Sequence, residues 1–203
     1  GELARLFNTE LGIQANLQVV RMRGWRRDGR GTTGPWVMPS PNMPSVETAV
    51  VYPGMVLVEG TNLSEGRGTT RPFETVGAPF IDPVPLADRM NALGLPGVRF
   101  RPLWFTPTTS KFAGVRCGGL ALHVTNRDTF RPVATAIALL QQIARTYPAD
   151  FRFLDGNFFD KLAGNGWLRS AILSGEDQPH IDARDTEAMA RFQVQRSQAL
   201  LYR

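Results

Sequence analysis

Residues 59–74 read Glu-Gly-Thr-Asn-Leu-Ser-Glu-Gly-Arg-Gly-Thr-Thr-Arg-Pro-Phe-Glu and follow an apolar run at 55–58. We call residues 59–74 the central loop. Gly66 and Gly68 permit positive φ and close approach of another group, and Arg67 offers a planar five-donor fork that suits a carboxylate or phosphate. This composition predicts the wall of a polar-ligand pocket. The alternative is a structural loop whose arginines pair with the nearby carboxylates Glu59, Glu65 and Glu74.

Several common site chemistries do not fit the central loop. The segment 65–70 lacks the spacing and the lysine of a P-loop. Its Gly-x-Gly is not completed as a dinucleotide fingerprint, and Pro72 interrupts any following helix. No nucleophile elbow is present either. Carboxylate chemistry remains, because paired carboxylates carry out most glycoside hydrolysis, but spacing in sequence alone does not choose a mechanism.

The charge balance gives weak support to a nucleic-acid partner. The chain of 203 residues has 23 basic and 18 acidic residues and a net charge of +5, and Lys111 and Lys161 are its only lysines. A nucleic-acid footprint needs basic residues clustered on one face with interleaved aromatics, and only residues 21–30 approach this. We therefore expect no nucleic-acid partner. A basic nucleic-acid-binding domain stays as a third hypothesis, which salt-dependent DNA binding would test.

The cysteine and histidine content limits the disulfides and metal sites that the chain could form. Cys117 is the only cysteine, so an internal disulfide is excluded, and its apolar neighbours predict a buried structural thiol. Only two histidines are present, which argues against zinc, and we expect no metal or organic cofactor. His123 is predicted to be a satisfied structural histidine. No apolar run is long enough for a membrane span and no signal peptide is recognised, and we expect the chain to be a fragment whose targeting segment is missing.

The first part of the chain indicates a helix followed by a strand. Residues 2–11 carry an apolar helical stripe and Gly12 caps it, while residues 17–22 read as a strand. A helix that leads into a strand is half of an α/β unit, so this segment is interpreted as the end of a parallel-sheet domain. The Pro-rich residues 24–44 suit a crossover between lobes. Gly-Arg-Gly-Thr-Thr at 29–33 repeats at 66–70, and we regard this as coincidence.

The rest of the chain predicts a mixed α+β domain. Helices are expected at 46–58, broken at Pro53-Gly54, and at 83–93, 129–147, 158–162, 167–173 and 186–201. Strands are expected at 73–81, 98–105, 119–125 and 151–153. The predicted domains are residues 1–38, the end of the first domain with its linker, and residues 39–203, the second domain.

A set of short motifs follows in order along nearly the whole chain, at residues 39–44, 52–54, 59–74, 77–80, 95–98, 100–102, 107, 110–112, 117–118, 123–125 and 200–202. In these motifs the sequence resembles the NamZ family of bacterial exo-β-N-acetylmuramidases of peptidoglycan recycling. The resemblance implies an upstream Rossmann-like domain, a C-terminal auxiliary domain and an active site in the cleft between them.

The resemblance also implies roles for individual residues. The family's catalytic glutamate belongs to a Pro-Glu-His-Gly-like motif that this chain lacks, so the main acid is expected upstream and the chain alone is expected to be inactive. Glu65 is expected to orient Arg67 or to act as an auxiliary acid or base. Arg67, or alternatively Arg71 or Arg101, is expected to hold the lactyl carboxylate of a terminal N-acetylmuramic acid. The other residues expected to bind substrate are Asn62, Ser64, Gly68, Thr69 and Thr70.

The function implied is part of a glycoside hydrolase that removes terminal N-acetylmuramic acid from the non-reducing end of peptidoglycan fragments. The partners implied are that glycan and the upstream Rossmann-like domain of the same protein. The location implied is extracytoplasmic, either secreted or periplasmic. The alternative function is a peptidoglycan-binding module without catalysis of its own.

Overall fold

The computed structural model describes residues 1–27 and 35–202. The first Gly-Arg-Gly-Thr-Thr copy at 29–33, and parts of the predicted basic cluster and crossover, lie outside the described residues. The elements, in chain order, are α1 (Glu2–Glu10), α2 (Val46–Met55), a 3₁₀ helix (Val56–Gly60), β1 (Thr75–Ala78), α3 (Pro83–Ala92), β2 (Val98–Phe105), β3 (Cys117–Val124), α4 (Pro132–Thr146), α5 (Phe158–Ala163), α6 (Leu168–Ser174) and α7 (Gln178–Ala199). This mixture of helices and an antiparallel sheet confirms the predicted α+β class.

The packing divides the chain into two compact units, Gly1–Pro35 with Pro179–Arg203, and Trp36–Gln178. In the first unit, the carboxylate of Glu2 accepts hydrogen bonds from the backbone N–H of Leu201 (2.8 Å) and from Arg27 Nη2 (2.6 Å). Trp25 packs edge-on against Tyr202 at 4.7 Å. The first unit thus joins the two ends of the described chain. The predicted domain division at residue 38 stays a prediction.

The second unit is built on a three-stranded antiparallel sheet with strand order β1-β3-β2. Val98 and Phe100 of β2 are buried, while Arg99 and Arg101, which alternate with them, are exposed, as expected for a sheet with one face on the core. Arg99 lies directly opposite His123 of β3 in the register. The two residues therefore share the face that points away from that core.

Helices α2, α3 and α4 contribute to this core, together with α5 and α6. The close approach of α2 to α4 requires glycine at position 54, because a Cβ there would lie 2.0 Å from the carbonyl oxygen of Pro132. Asp82 caps α3 by accepting from Val84 N. Leu139, Leu140 and Ile143 of α4 are fully buried.

Four secondary-structure predictions differ from the structure. The predicted strand at 17–22 is wrong, because these residues are irregular and largely exposed and no described segment pairs with them. Pro53 does not break α2, which continues to Met55 before tightening into the 3₁₀ helix. The strand at 151–153 is reduced to one bridge between Phe153 and Thr61. Helix α7 begins eight residues before the predicted residue 186.

Candidate functional site

The central loop is fixed along the free edge of β1. Ser64 pairs with Gly77 in a two-bond bridge, with N–O distances of 2.8 and 3.0 Å. The backbone N–H of Phe73 donates to the carbonyl of Glu65 at 2.6 Å and closes the loop on itself. Gly66, at φ 80°, lies so close to Thr75 that a Cβ would come within 2.6 Å of its carbonyl oxygen. The predicted need for glycine in this loop is therefore confirmed at Gly66.

A buried carboxylate lies at the centre of this loop. The Glu65 side chain is 3% exposed, with Oε1 3.1 Å from Arg67 Nε and Oε2 3.2 Å from Lys111 Nζ. Oε2 is within ion-pair distance of Lys111 Nζ but accepts no hydrogen bond with acceptable geometry from any described residue. A buried carboxylate needs nearby cations, because removing one partner of a buried ion pair costs about 3–5 kcal/mol of stability.

Lys111 links the central loop to the β2–β3 connection. Its ammonium donates to the carbonyls of Thr61 (2.8 Å) and Glu59 (3.0 Å), and lies 3.4 Å from that of Val58. These carbonyls are at the end of the 3₁₀ helix, where backbone acceptors lack intrahelical partners and a cation is favourable. Lys111 therefore caps this helix end and neutralises Glu65 at the same time.

Arg67 is held by two carboxylates and one ring. Its Nη2 lies 2.6 Å from Glu59 Oε1 and its Nε 3.1 Å from Glu65. Its guanidinium stacks 5.1 Å from the ring of Phe73, a buried residue with φ 63°, a conformation rare for an aromatic residue. The geometry of Arg67 thus matches the structural alternative for the loop. About a third of the side chain stays exposed, and its contact with a ligand stays a prediction.

Four other predicted binding residues have their polar groups engaged within the protein. The Asn62 amide bonds the backbone of Asp150 and Arg152. Ser64 Oγ accepts from Gly66 N. Thr69 Oγ1 donates to the carbonyl of Gly66, and the Gly68 carbonyl accepts from Thr108. These contacts shape the loop, and no described contact places their side chains around a common hollow.

The remaining predicted residues, Thr70, Arg71 and Arg101, are exposed. Arg71 donates to Glu74 Oε2 through Nε (3.1 Å) and Nη2 (2.5 Å), and Thr48 Oγ1 donates to Glu74 Oε1 at 2.7 Å. Arg71 lines a cavity of about 180 Å³, which we call the His123 cavity. Its lining residues are Glu47, Val50, Val51, Arg71, Glu74, Leu122, His123, Val124 and Arg127.

His123 does not have the hydrogen bonds predicted for a satisfied structural histidine. Its Nε2 is buried and has no hydrogen-bond partner among residues 1–27 and 35–202. Burial lowers the pKa of His123, the positive charges of Arg71 and Arg101 lower it further, and Glu74 opposes them. Burial and the neighbouring arginines therefore disfavour the protonated imidazole. Cys117 is buried as predicted, and burial raises the pKa of its thiol to about 11.

Sequence reasoning missed three participants. Lys111 stands 46 positions from Glu65, and its rarity in an arginine-rich chain was the available signal. Glu47 and Arg127, which pair at 2.7 Å beside the His123 cavity, are 80 residues apart and carry no local motif. Chemically, the described residues offer two centres, a carboxylate locked between cations in the loop and an arginine–histidine cavity beside it.

These features define an α+β protein whose central loop is organised around a buried carboxylate and its two cations. The chain belongs to the NamZ family. The model for the C-terminal part of exo-β-N-acetylmuramidase NamZ matches residues 50–202, and that for the N-terminal part matches residues 1–47. The chain is similar to a Bacillus subtilis (strain 168) protein named peptidoglycan β-N-acetylmuramidase NamZ, with 50% identity over 204 residues.

Two solved structures share the fold. Both are DUF1343 family proteins of Bacteroides fragilis, with TM-scores of 0.85 and 0.73 and identities of 27% and 25%. The alignments cover the whole of this chain, 55% of each solved chain and 49% of the Bacillus protein. The chain therefore spans about half the length of the relatives it matches. In the part that the structure describes, no helix is long and apolar enough to cross a membrane.

Proposed function

We propose that this chain is part of a glycoside hydrolase that releases terminal N-acetylmuramic acid from the non-reducing end of peptidoglycan fragments. The observation that carries the proposal is the 50% identity, across the full chain, to a protein named as a peptidoglycan β-N-acetylmuramidase. The matches to both parts of the family, at residues 1–47 and 50–202, support the same assignment.

In this proposal the central loop forms one wall of the substrate cleft. Its bridge to β1 and its buried Glu65–Lys111 contact make it a rigid wall, and rigid elements position a substrate better than mobile ones. An exo-acting enzyme has to close its pocket beyond the terminal sugar, and a fixed loop does this. Thr70, Arg71 and Arg101 are the exposed groups available to the sugar, together with the open edge of Arg67.

Glu65 acts in this proposal as a positioning residue. Its carboxylate is buried between Arg67 and Lys111, a placement that suits a group orienting Arg67. A general acid has to reach the glycosidic oxygen of the substrate, whereas the Glu65 side chain is only 3% exposed. The principal acid is accordingly assigned to the upstream Rossmann-like domain, which is the proposed partner, and the whole protein to an extracytoplasmic location.

A glycan-binding module without catalysis is the second candidate. It is favoured by the His123 cavity, which is formed entirely within residues 36–178. A module of this kind binds the glycan end with an affinity that does not depend on the upstream half, whereas part of a hydrolase binds more tightly when the cleft is complete.

The test is to compare the chain alone with a protein that also contains the upstream half. Both are incubated with a disaccharide that has N-acetylmuramic acid at its non-reducing end and with one that has N-acetylglucosamine there. We expect the longer protein to release N-acetylmuramic acid from the first disaccharide only, and the chain alone to release nothing. Absence of release by the longer protein overturns the proposal.

A further inference from the structure

The His123 cavity combines a cationic rim with a buried polar atom that has no partner. Arg71 from the central loop and His123 from β3 line the same hollow, and Arg127 with Glu47 forms its outer side. Its volume of about 180 Å³ is below the roughly 300–1,000 Å³ of pockets that enclose whole drug-sized ligands. It suits a short substituent better than a complete sugar ring.

Arg71 is pre-positioned to bind an anion. Its Nε and Nη2 donate to Glu74, and the Glu74 side chain is 5% exposed and also accepts from Thr48 Oγ1. Nη1 forms no hydrogen bond to any described residue, so the guanidinium retains donors while its orientation is fixed. A held guanidinium loses little conformational freedom when it meets a carboxylate.

His123 supplies the second group. Its Nε2 is buried with no hydrogen bond in the described structure, and buried polar atoms without partners are uncommon in folded proteins. Arg99 lies opposite His123 in the sheet, and Arg101 lies two residues further along β2. The charged groups around the imidazole are therefore mainly cationic, with Glu74 and Glu47 already engaged by Arg71 and Arg127.

We propose that the His123 cavity receives a carboxylate-bearing substituent of the terminal sugar, with the Arg71 guanidinium as its donor and the His123 Nε2–H as a second donor once the imidazole turns its buried edge towards the cavity. This inference rests on the proposed function, because it takes the ligand to be a glycan end. It assigns recognition of the acid to Arg71 and His123 and leaves Arg67 as the structural partner of Glu59 and Glu65.

The experiment follows the two imidazole rings of the chain by NMR during titration with free N-acetylmuramic acid. N-acetylglucosamine, which has the same ring without the lactyl carboxylate, is the neutral control ligand. His180 belongs to the other packing unit and is the internal control. We expect the His123 signals to shift and saturate with the acid only, while the His180 signals do not move.

Two variants separate binding from folding. Arg71→Gln removes the charge and is expected to weaken binding at least tenfold, whereas Arg89→Gln, at an exposed arginine of α3, leaves it unchanged. Because Arg71→Gln also strips Glu74 of its partner, Val50→Phe is the second variant. It fills the cavity without altering any charged residue and is expected to abolish the His123 shift.

The inference is overturned if His123 does not respond to the acid, if the neutral sugar causes the same shift, or if Val50→Phe binds like the unmodified chain. These results are independent of catalysis. A longer protein that releases no N-acetylmuramic acid overturns the proposed function even when His123 responds. A longer protein that does release it, in the absence of a His123 response, overturns only the cavity assignment.

Discussion

Lys111 Nζ lies 3.2 Å from Glu65 Oε2 and joins two segments that are 46 residues apart in the chain. The same ammonium donates to the carbonyls of Glu59 and Thr61. The central loop is therefore fixed from the β2–β3 connection as well as from the edge of β1. This contact explains how a loop rich in glycine and hydroxyl residues keeps one shape.

Lys111→Met should destabilise the protein, because it removes the helix-end cation and leaves Glu65 with Arg67 alone. We expect the free energy of unfolding to fall by about 2–4 kcal/mol. This is less than the roughly 3–5 kcal/mol lost when a buried charge is left without a partner, because Arg67 remains beside Glu65. Urea unfolding measures it. Lys161→Met, at the other lysine of the chain and exposed, is the control, and equal stability of the two variants would contradict this role.

Gly68→Ala should destabilise the protein more than Gly114→Ala. The two glycines have φ of 78° and 76°, so the backbone strain of an alanine is similar. A Cβ at position 68 would lie 2.5 Å from Thr109 N, whereas nothing lies within 4 Å at position 114. The clash should add about 1–3 kcal/mol. Thermal unfolding of both variants measures the difference, and similar midpoints would show that the 106–115 segment yields to the added methyl.

His123 should make the protein less stable as the pH falls below about 6.5. The pKa of His123 is lowered in the folded state, so the unfolded chain binds more protons in the window between the folded value and the ordinary one. The protein therefore keeps its full stability above about pH 6.5 and loses part of it as the pH falls from 6.5 to the lowered pKa of His123. The difference between wild type and His123→Gln in urea unfolding at pH 5 and pH 7.5 isolates this effect. A pH-independent difference would count against it.

Glu2 should titrate far below an ordinary glutamate. The backbone N–H of Leu201, the side chain of Arg27 and the backbone N–H of Tyr202 stabilise its charged form and lower its pKa to about 2. The stability from these bonds is present above about pH 4.5 and is lost as the pH falls towards 2. A carboxyl NMR titration, with Glu2→Gln to assign the signal, measures the midpoint. A midpoint near 4.5 would show that the first unit is not joined through Glu2.

Much of the fold follows from local sequence. Helix α4 has an apolar stripe and β2 alternates partly between buried and exposed residues, so sequence patterning predicts both nearly to their ends. The predicted strand at 17–22 failed because a strand depends on a neighbour that sequence patterning does not reveal. Pro53 predicts a break, yet α2 continues through it while Gly54 packs against the backbone of Pro132.

The sequence predicts which residue types form the candidate site but not which of them contact one another. The glycines, carboxylates and arginines of the central loop are adjacent in sequence, so their proximity was evident. Which carboxylate meets which cation was not, because Lys111 and His123 reach the loop through the sheet topology. The structure shows Arg67 paired with Glu59 and Glu65, and Arg71 beside a cavity. Ligand binding by Arg67 stays a prediction.

The most direct test is to identify the first product that the longer protein releases from a glycan strand. The strand has several repeats and carries N-acetylmuramic acid at its non-reducing end. Product analysis over time should show free N-acetylmuramic acid as that first product, with the strand shortened by one sugar. Internal fragments as the first products, or an unchanged strand, would contradict the claim that this chain completes the cleft of an exo-acting muramidase.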